Sequence, residues 1–246
     1  MKNLMLQIDP KKCFWDEKKE LVKIQIDNSF DLGWKLEDMV LVTNFDYEYR
    51  GVKAITVDDS YYCDVHDKAS KIKVIIYLLK NIVKPRELWW FHDFDAFQME
   101  PIIEEELGLF NLPLAFTDHG WKDEANTGSI FFKLDSLRVF QWVRNVVNSH
   151  ETNEQKALMF LTNKNYQYIN NYYKKLNITY NFPACGSSAK HFEETFKMVD
   201  KPIKVIHFHP VYRRVNYIEL LNNMDLISDK LMINFRKHLP DLCPKI

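Results

Sequence analysis

Apolar positions recur along this chain with two different periods. Over Leu21–Ile26 (LVKIQI) apolar and polar residues alternate ahead of Asp27-Asn28-Ser29, which predicts a strand and then a turn. Met39–Thr43 (MVLVT) predicts a second strand ending at Asn44-Phe45-Asp46, and Gly51–Val57 (GVKAITV) a third ending at Asp58-Asp59. Between Asp67 and Val83 the period changes. Ile72, Ile75, Ile76, Leu79 and Val83 are spaced for one face of a helix, which Pro85 stops. Leu88–Phe91 (LWWF) then reads as a short aromatic strand running into His92-Asp93-Phe94-Asp95.

The second half is less regular. Leu137–Val147 predicts an amphipathic helix, and Gln155–Leu161 and Tyr166–Leu176 predict further helical segments. Ile203–Phe208 (IKVIHF) predicts a strand, and Met224–His238 a C-terminal helix stopped by Pro240. The β, β, β, α, β order of the first half predicts an α/β fold: a mixed, mainly parallel sheet flanked by helices. Ligands of such sheets collect at the carboxyl ends of the strands, so the polar clusters that end these apolar runs are the places to look for chemistry.

Composition narrows the picture. The 246 residues are 46% hydrophobic, enough for a substantial core, and no linker or repeat divides them, so one domain is expected. Lys plus Arg (33) nearly balance Asp plus Glu (34), which argues against a nucleic-acid partner. Cys13, Cys63, Cys185 and Cys243 are scattered without a CxxC pair and read as free thiols of a reducing cytosol. Residues 1–12 carry Asp9, Lys11 and Lys12 and lack the apolar core of a signal peptide. No apolar run reaches the ~20 residues of a membrane span. A cytoplasmic protein is expected, and the heavy use of Lys, Asn and Ile points to an AT-rich, microbial or viral genome.

The strongest chemical feature is Asp93-Phe94-Asp95. Two carboxylates at the end of a buried strand are costly unless a cation pairs with them. In an extended segment Asp-x-Asp sends both side chains to one side. Two hard oxygen ligands suit Mn²⁺ or Mg²⁺, with a diphosphate completing the coordination. The competing reading of the same residues is a turn or a helix cap. His92 reads as a polar residue closing the strand.

The order of an apolar strand, Asp93-Phe94-Asp95, Asn126-Thr127-Gly128-Ser129, Glu154-Gln155 and a late His207-Phe208 resembles the GT-A glycosyltransferases. It is particularly similar to those DxD families whose third metal ligand is a histidine near the C-terminal end. The resemblance runs in order and spacing over roughly residues 21 to 210, and each motif in it is short.

It implies a Rossmann-like GT-A domain over 1–246: a nucleotide-binding half at about 20–100, an acceptor-binding half at about 101–215, and a C-terminal helix at about 216–246. It implies a nucleoside-diphosphate-sugar donor, a glycan or other hydroxyl acceptor, and a metal held by Asp93, Asp95 and His207, with His209 as the competing histidine. Glu154 takes the acidic position at a helix start, where Asp is often found. It is the catalytic candidate, as general base or beside the reacting face of the sugar, although the helix dipole alone also favours Glu there. Asn126, Thr127 and Gly128 match a strand edge that touches sugar, and an Asn/Gly turn is the plainer reading of the same residues.

Gln25, Asp27, Asn28 and Asn44 match base-binding positions. Lys71 or Lys68 would supply a cation near the diphosphate, and Tyr61 and Tyr62 are candidates to stack on the base. A metal-dependent nucleotide hydrolase or nuclease would use the same carboxylates to activate water. A non-catalytic sugar- or nucleotide-binding module would carry the metal site as a remnant, which intact Asp93, Asp95 and His207 oppose. No P-loop, GxGxxG or GxSxG element promotes an unrelated chemistry.

Overall fold

The structure is a computed structural model that describes residues 1–120, 124–184, 189–208 and 227–240. The chain opens with β1 (Lys2–Gln7), α1 (Asp16–Asp31) and β2 (Met39–Thr43). Three two-residue strands follow: β3 (Glu48–Tyr49), β4 (Val52–Lys53) and β5 (Ile55–Thr56). Next come α2 (Ser70–Asn81), β6 (Trp89–His92), β7 (Ala96–Gln98), β8 (Leu114–Asp118) and β9 (Ala125–Phe132). The remainder comprises α3 (Leu137–His150), α4 (Glu154–Asn163), β10 (Tyr173–Lys175), β11 (Phe182–Pro183), α5 (Ala189–Lys197), β12 (Val205–His207) and α6 (Asp229–His238).

Seven strands form one sheet in the order β10-β8-β9-β6-β1-β2-β5. Only β9 runs antiparallel to its neighbours, β6 and β8; the other pairs in this sheet are parallel. The carboxyl ends of β1, β2, β6, β8 and β10 therefore share one edge with the amino end of β9. Successive residues of a strand face opposite layers. Met5 and Leu41 pack with α1 and α6, whereas Leu4 and Val42 pack with α2 and α3. The expected mixed, mainly parallel sheet between helical layers is what the chain forms. A second sheet, β11-β12-β7, rises beside the ligand edge.

Several elements differ from expectation. Leu21–Ile26 is not a strand but the middle of α1. Leu21, Val22, Ile24 and Ile26 are fully buried, and Gln25, Asp27, Asn28 and Ser29 nearly so. Residues 24–29 are buried in unbroken succession, so this part of the helix shows no polar stripe, and six alternating residues imitate a strand. The true first strand is Lys2–Gln7, where buried Asn3 donates to Ser29 Oγ at 3.0 Å. Gly51–Val57 breaks into β4 and β5: β4 folds back on β3 through the turn at Gly51, φ +80°, whereas β5 joins the main sheet beside β2. Tyr166–Asn171 is a 3₁₀ stretch leading into β10, not an α-helix. The C-terminal helix begins at Asp229, where Ser228 Oγ accepts from Leu231 N at 3.3 Å.

The other predicted elements hold to within a few residues. Cys13 and Cys63 are free thiols, and Cys185, Cys243 and His209 lie outside the described residues. No helix among the described residues is long and apolar enough to cross a membrane.

Candidate active site

Strand β6 is buried along its whole length and ends against a tight turn. Ala96 N donates to Asp93 O at 3.0 Å, so Asp93-Phe94-Asp95 is a turn and not an extended segment. Its two carboxylates converge nonetheless. β12 returns antiparallel to β7 with His207 opposite Ala96, and Phe208 N donates to Asp95 O at 2.7 Å. This pairing sets His207 Nε2 3.4 Å from Asp95 Oδ1. Ligand atoms of Asp93, Asp95 and His207 all lie within 4.8 Å of one another. Asp95 and His207 are buried and Asp93 is about one-third exposed.

His92 has a different role. Burial pushes its imidazole down to about 4, so it is neutral near pH 7. It stacks on Trp90 at 4.3 Å, and its Nε2 lies 2.8 Å from Asn3 Oδ1.

Strand β9 supplies the opposite wall through a bulge. Phe116 of β8 pairs with Ile130, but the next residue, Thr117, pairs with Asn126. Thr127, Gly128 and Ser129 thus leave β8, and Thr127 and Gly128 line the site, as bulges do where a strand must be re-aimed. Gly128 O accepts from Asp93 N at 2.9 Å. A Cβ on Gly128 would overlap the His207 ring, so the close approach that glycine permits here is to the imidazole. Asn126 Oδ1 accepts from Gly128 N at 3.1 Å, while the buried Asn126 Nδ2 has no partner.

Behind these residues sits a buried charge network. Lys71, on α2, reaches Asp93 Oδ1 at 2.9 Å, Glu154 Oε1 at 3.2 Å and Thr127 O at 3.3 Å. Burial alone would lower the Lys71 ammonium; Asp93 and then Glu154 more than reverse this and raise it above its ordinary value. Glu154 opens α4, after Asn153, whose side chain accepts from Lys156 N at 2.8 Å. Burial works against the Glu154 charge, yet Lys71, the helix-end backbone N–H and the Thr127 hydroxyl outweigh it and hold the carboxyl below its usual range. Its Oε1 also accepts from Thr127 Oγ1 at 2.9 Å, and Oε2 has no partner.

These groups line a cavity of about 190 Å³ at the ligand edge of the sheet. Asp93, Asp95, Asn126, Thr127, Gly128, Glu154, Lys71 and His207 all face it, so eight of the expected site residues come together. Lys68 stands exposed on its rim.

The expected base-binding residues do not join them. Gln25 Nε2 donates to Phe94 O and Ala96 O, both at 2.9 Å, and Asn28 Nδ2 to Gln98 O at 2.7 Å. These two amides of α1 brace β7 from behind. Asp27 is buried among Arg50, Lys237 and His238. Asn44 closes the loop after β1, through Asp9 O and Asp59 Oδ1 at 2.9 Å each. Tyr61 packs edge-on to Tyr77 at 5.2 Å, and Tyr62 packs against the same helical layer. In place of these, the cavity is walled by Gln7, Ile8, Lys18 and Gln155, which sequence reasoning did not assign. The run Asn3–Ile8 (NLMLQI) carried the signal for the first two, since it ends a strand at the ligand edge.

No protein-family model and no curated protein sequence matches the chain. Solved structures do. The galactosyltransferase LgtC, in complex with donor and acceptor sugar analogs, superposes with a TM-score of 0.57 at 11% identity, over 95% of this chain and 100% of LgtC. Apo mouse xyloside xylosyltransferase 1 gives a TM-score of 0.53 at 13% identity, over 84% of this chain and 96% of that one. A glycosyltransferase involved in the glycosylation of the major capsid of PBCV-1 gives 0.52 at 16% identity, over 84% and 93%. Likeness at this level of identity is a statement about architecture, and on it the chain has the GT-A glycosyltransferase fold.

Proposed function

We propose that the chain is a metal-dependent glycosyltransferase, moving a sugar from a nucleoside-diphosphate donor to a hydroxyl acceptor. The observation that carries this reading is the convergence of Asp93, Asp95 and His207 within 4.8 Å at the wall of the cavity. Two carboxylates and one imidazole form a donor set suited to Mn²⁺, and also compatible with Mg²⁺. A cation held there would neutralise charge on the departing diphosphate.

The remaining roles belong to the chain itself. Lys71 fixes the positions of Asp93 and Glu154 and favours the charged form of the Glu154 carboxyl. Asn126 Nδ2 and Glu154 Oε2 are buried polar atoms awaiting partners, one a donor and one an acceptor, which is what a sugar's hydroxyl groups require. The depressed Glu154 carboxyl makes a weak general base. Its role in this reading is therefore to accept a hydrogen bond from the sugar and to stabilise positive charge developing at the reacting carbon. Gln155 shares the same wall, with its Nε2 3.0 Å from His119 Nε2. The donor-binding half then begins at Lys2, because β1 delivers Gln7 and Ile8 to the cavity.

The test is thermal unfolding with UDP, GDP, CDP and dTDP, each with and without Mn²⁺. A ligand at about 100 times its Kd adds roughly 2.7 kcal/mol. A shift for one nucleotide that needs Mn²⁺ is expected. No shift for any nucleotide overturns the reading, and donor cleavage that no sugar acceptor accelerates turns it into a hydrolase.

A further inference from the structure

A second cavity, of about 230 Å³, opens between the carboxyl end of β8, β10 and the last turn of α4. Its wall is polar at Thr117, Asp118, Asn163 and Lys175, and apolar at Met159 and Tyr173. None of these residues lines the donor cavity.

Thr117 sits where β9 bulges away from β8. It is 1% exposed, and its hydroxyl oxygen has no hydrogen-bond partner. A buried hydroxyl left in this state costs about 1–3 kcal/mol, a cost that a bound hydroxyl group or water relieves. The Tyr173 ring stacks on Phe116 at 4.7 Å and 12°, which makes a flat, fixed aromatic wall. Asp118 Oδ2 lies 2.5 Å from Lys175 Nζ, a paired carboxylate with lone pairs to spare.

We propose that this cavity holds a saccharide unit of the acceptor glycan, away from the point of transfer; the inference rests on the glycosyltransferase reading above. A sugar offers hydroxyl groups on its edges and C–H groups on its faces. The cavity offers the complement: a hydroxyl, a carboxylate and an amide beside an aromatic wall. The Asp118–Lys175 pair leaves the lining without net charge, which suits a neutral sugar better than a phosphate or nucleotide.

The two cavities are neighbours. Ala125 lines one and Asn126 the other, and His119, next to Asp118, contacts Gln155 of the donor cavity. Glu154 and Asn163 are the two ends of α4, roughly 14 Å apart at 1.5 Å per residue. An oligosaccharide lying along this edge spans that distance, so acceptors of several units are favoured over single sugars.

Methyl NMR on the full chain tests this, with Met and Thr methyls labelled. The probes are the methyl glycosides of glucose, galactose, mannose and xylose, with UDP, GDP, CDP and dTDP plus Mn²⁺ titrated in parallel. One glycoside is expected to shift saturably the signals of Met159 and of Thr162, which also lines the cavity. Thr117→Val should weaken that response about three- to tenfold, the effect of one lost hydrogen bond, with the nucleotide response unchanged. Valine keeps the shape and removes the orphaned hydroxyl, so this variant folds. Absence of a Met159 shift with every glycoside, or shifts that Thr117→Val leaves intact, overturns the inference even where a nucleotide binds. A glycoside response in a chain that ignores every nucleotide overturns the acceptor role and leaves a plain sugar site.

Discussion

Two buried carboxylate clusters in this molecule use the same residue types to opposite ends. Around Asp27, one carboxylate receives Arg50 Nη1 at 2.7 Å, Lys237 Nζ at 2.7 Å and Tyr49 Oη at 3.2 Å, with His238 Nε2 at 2.8 Å. Its lone pairs are saturated, and the result ties α6 to α1. Around Lys71, the cation is saturated and the carboxyl groups are in excess: Asp93, Asp95 and Glu154 gather with one lysine and one imidazole among the described residues. Glu154 Oε2 and Asn126 Nδ2 are buried without a hydrogen-bond partner, on residues that line the cavity. Burial alone does not mark a functional carboxylate. An acidic excess with unsatisfied atoms is the stronger pointer to one, because buried polar atoms in native folds are otherwise partnered.

The comparison is broken most severely at Asp95. Asp95→Ala should reduce sugar transfer by about 10³-fold and abolish Mn²⁺-dependent nucleotide binding, since a ligand to the cation is worth several kcal/mol. The unfolding temperature without ligand should stay near that of the parent chain. Unchanged metal dependence in this variant would remove the metal centre from the site.

Gly128→Ala tests the same centre without touching a ligand. The added methyl overlaps the His207 ring, so imidazole or β9 must move. Overpacking of this kind costs about 1–3 kcal/mol, and displacing the imidazole should lower Mn²⁺-dependent nucleotide affinity by about 10²-fold. Nucleotide binding measured without metal should be unaffected. Equal loss with and without metal would mean that the glycine serves the donor and not the histidine.

How far this was legible in the sequence follows from the same residues. Asp93-Phe94-Asp95 and His207 were legible because each ends a short apolar run, and chain order alone carries such motifs to the ligand edge. Glu154 was legible as a helix start. The partnership of Lys71 with both Asp93 and Glu154 was not, since it joins residues 22 and 83 positions apart, and Lys71 reads as one of several lysines on a helix. The bulge in β9 was invisible because Asn-Thr-Gly-Ser is also ordinary turn chemistry. Asp27 lies away from the cavity because residues 24–29 of α1 are all buried. The polar residues among them face the core, where a sequence pattern expects water.

Asp27→Asn is the matching change on the structural side. Burial opposes the Asp27 charge, but Lys237, Arg50 and His238 hold its carboxyl down to about 2, against 3.8 when free. A group depressed in the folded state stabilises it above the unfolded pKa, and that stability is lost as pH falls through the folded pKa. The parent chain should therefore lose roughly 2.5 kcal/mol progressively between about pH 5 and pH 1 through this group alone. Asp27→Asn should be less stable by about that amount at pH 7, roughly 5–10 °C in unfolding temperature, with a flatter acid limb. Transfer at a temperature where the variant is folded should match the parent. A loss of nucleotide affinity in the folded variant would return Asp27 to the binding site.

The smallest change separates the interior of the site from its rim. Lys68 lines the same cavity as Lys71 and sits one helical turn before it, but it is exposed to solvent. A solvated ammonium near a diphosphate contributes about 0.2–1 kcal/mol, screened by salt, because water already stabilises it and its side chain must be ordered to help. Lys68→Ala should therefore weaken nucleotide binding by about two- to threefold at low ionic strength, and less at high salt. Lys71 holds its carboxylates in the interior, where salt does not screen them. If Lys68→Ala cost as much as Asp95→Ala, the diphosphate would be gripped from the rim, and the buried charge network would be a support for the fold.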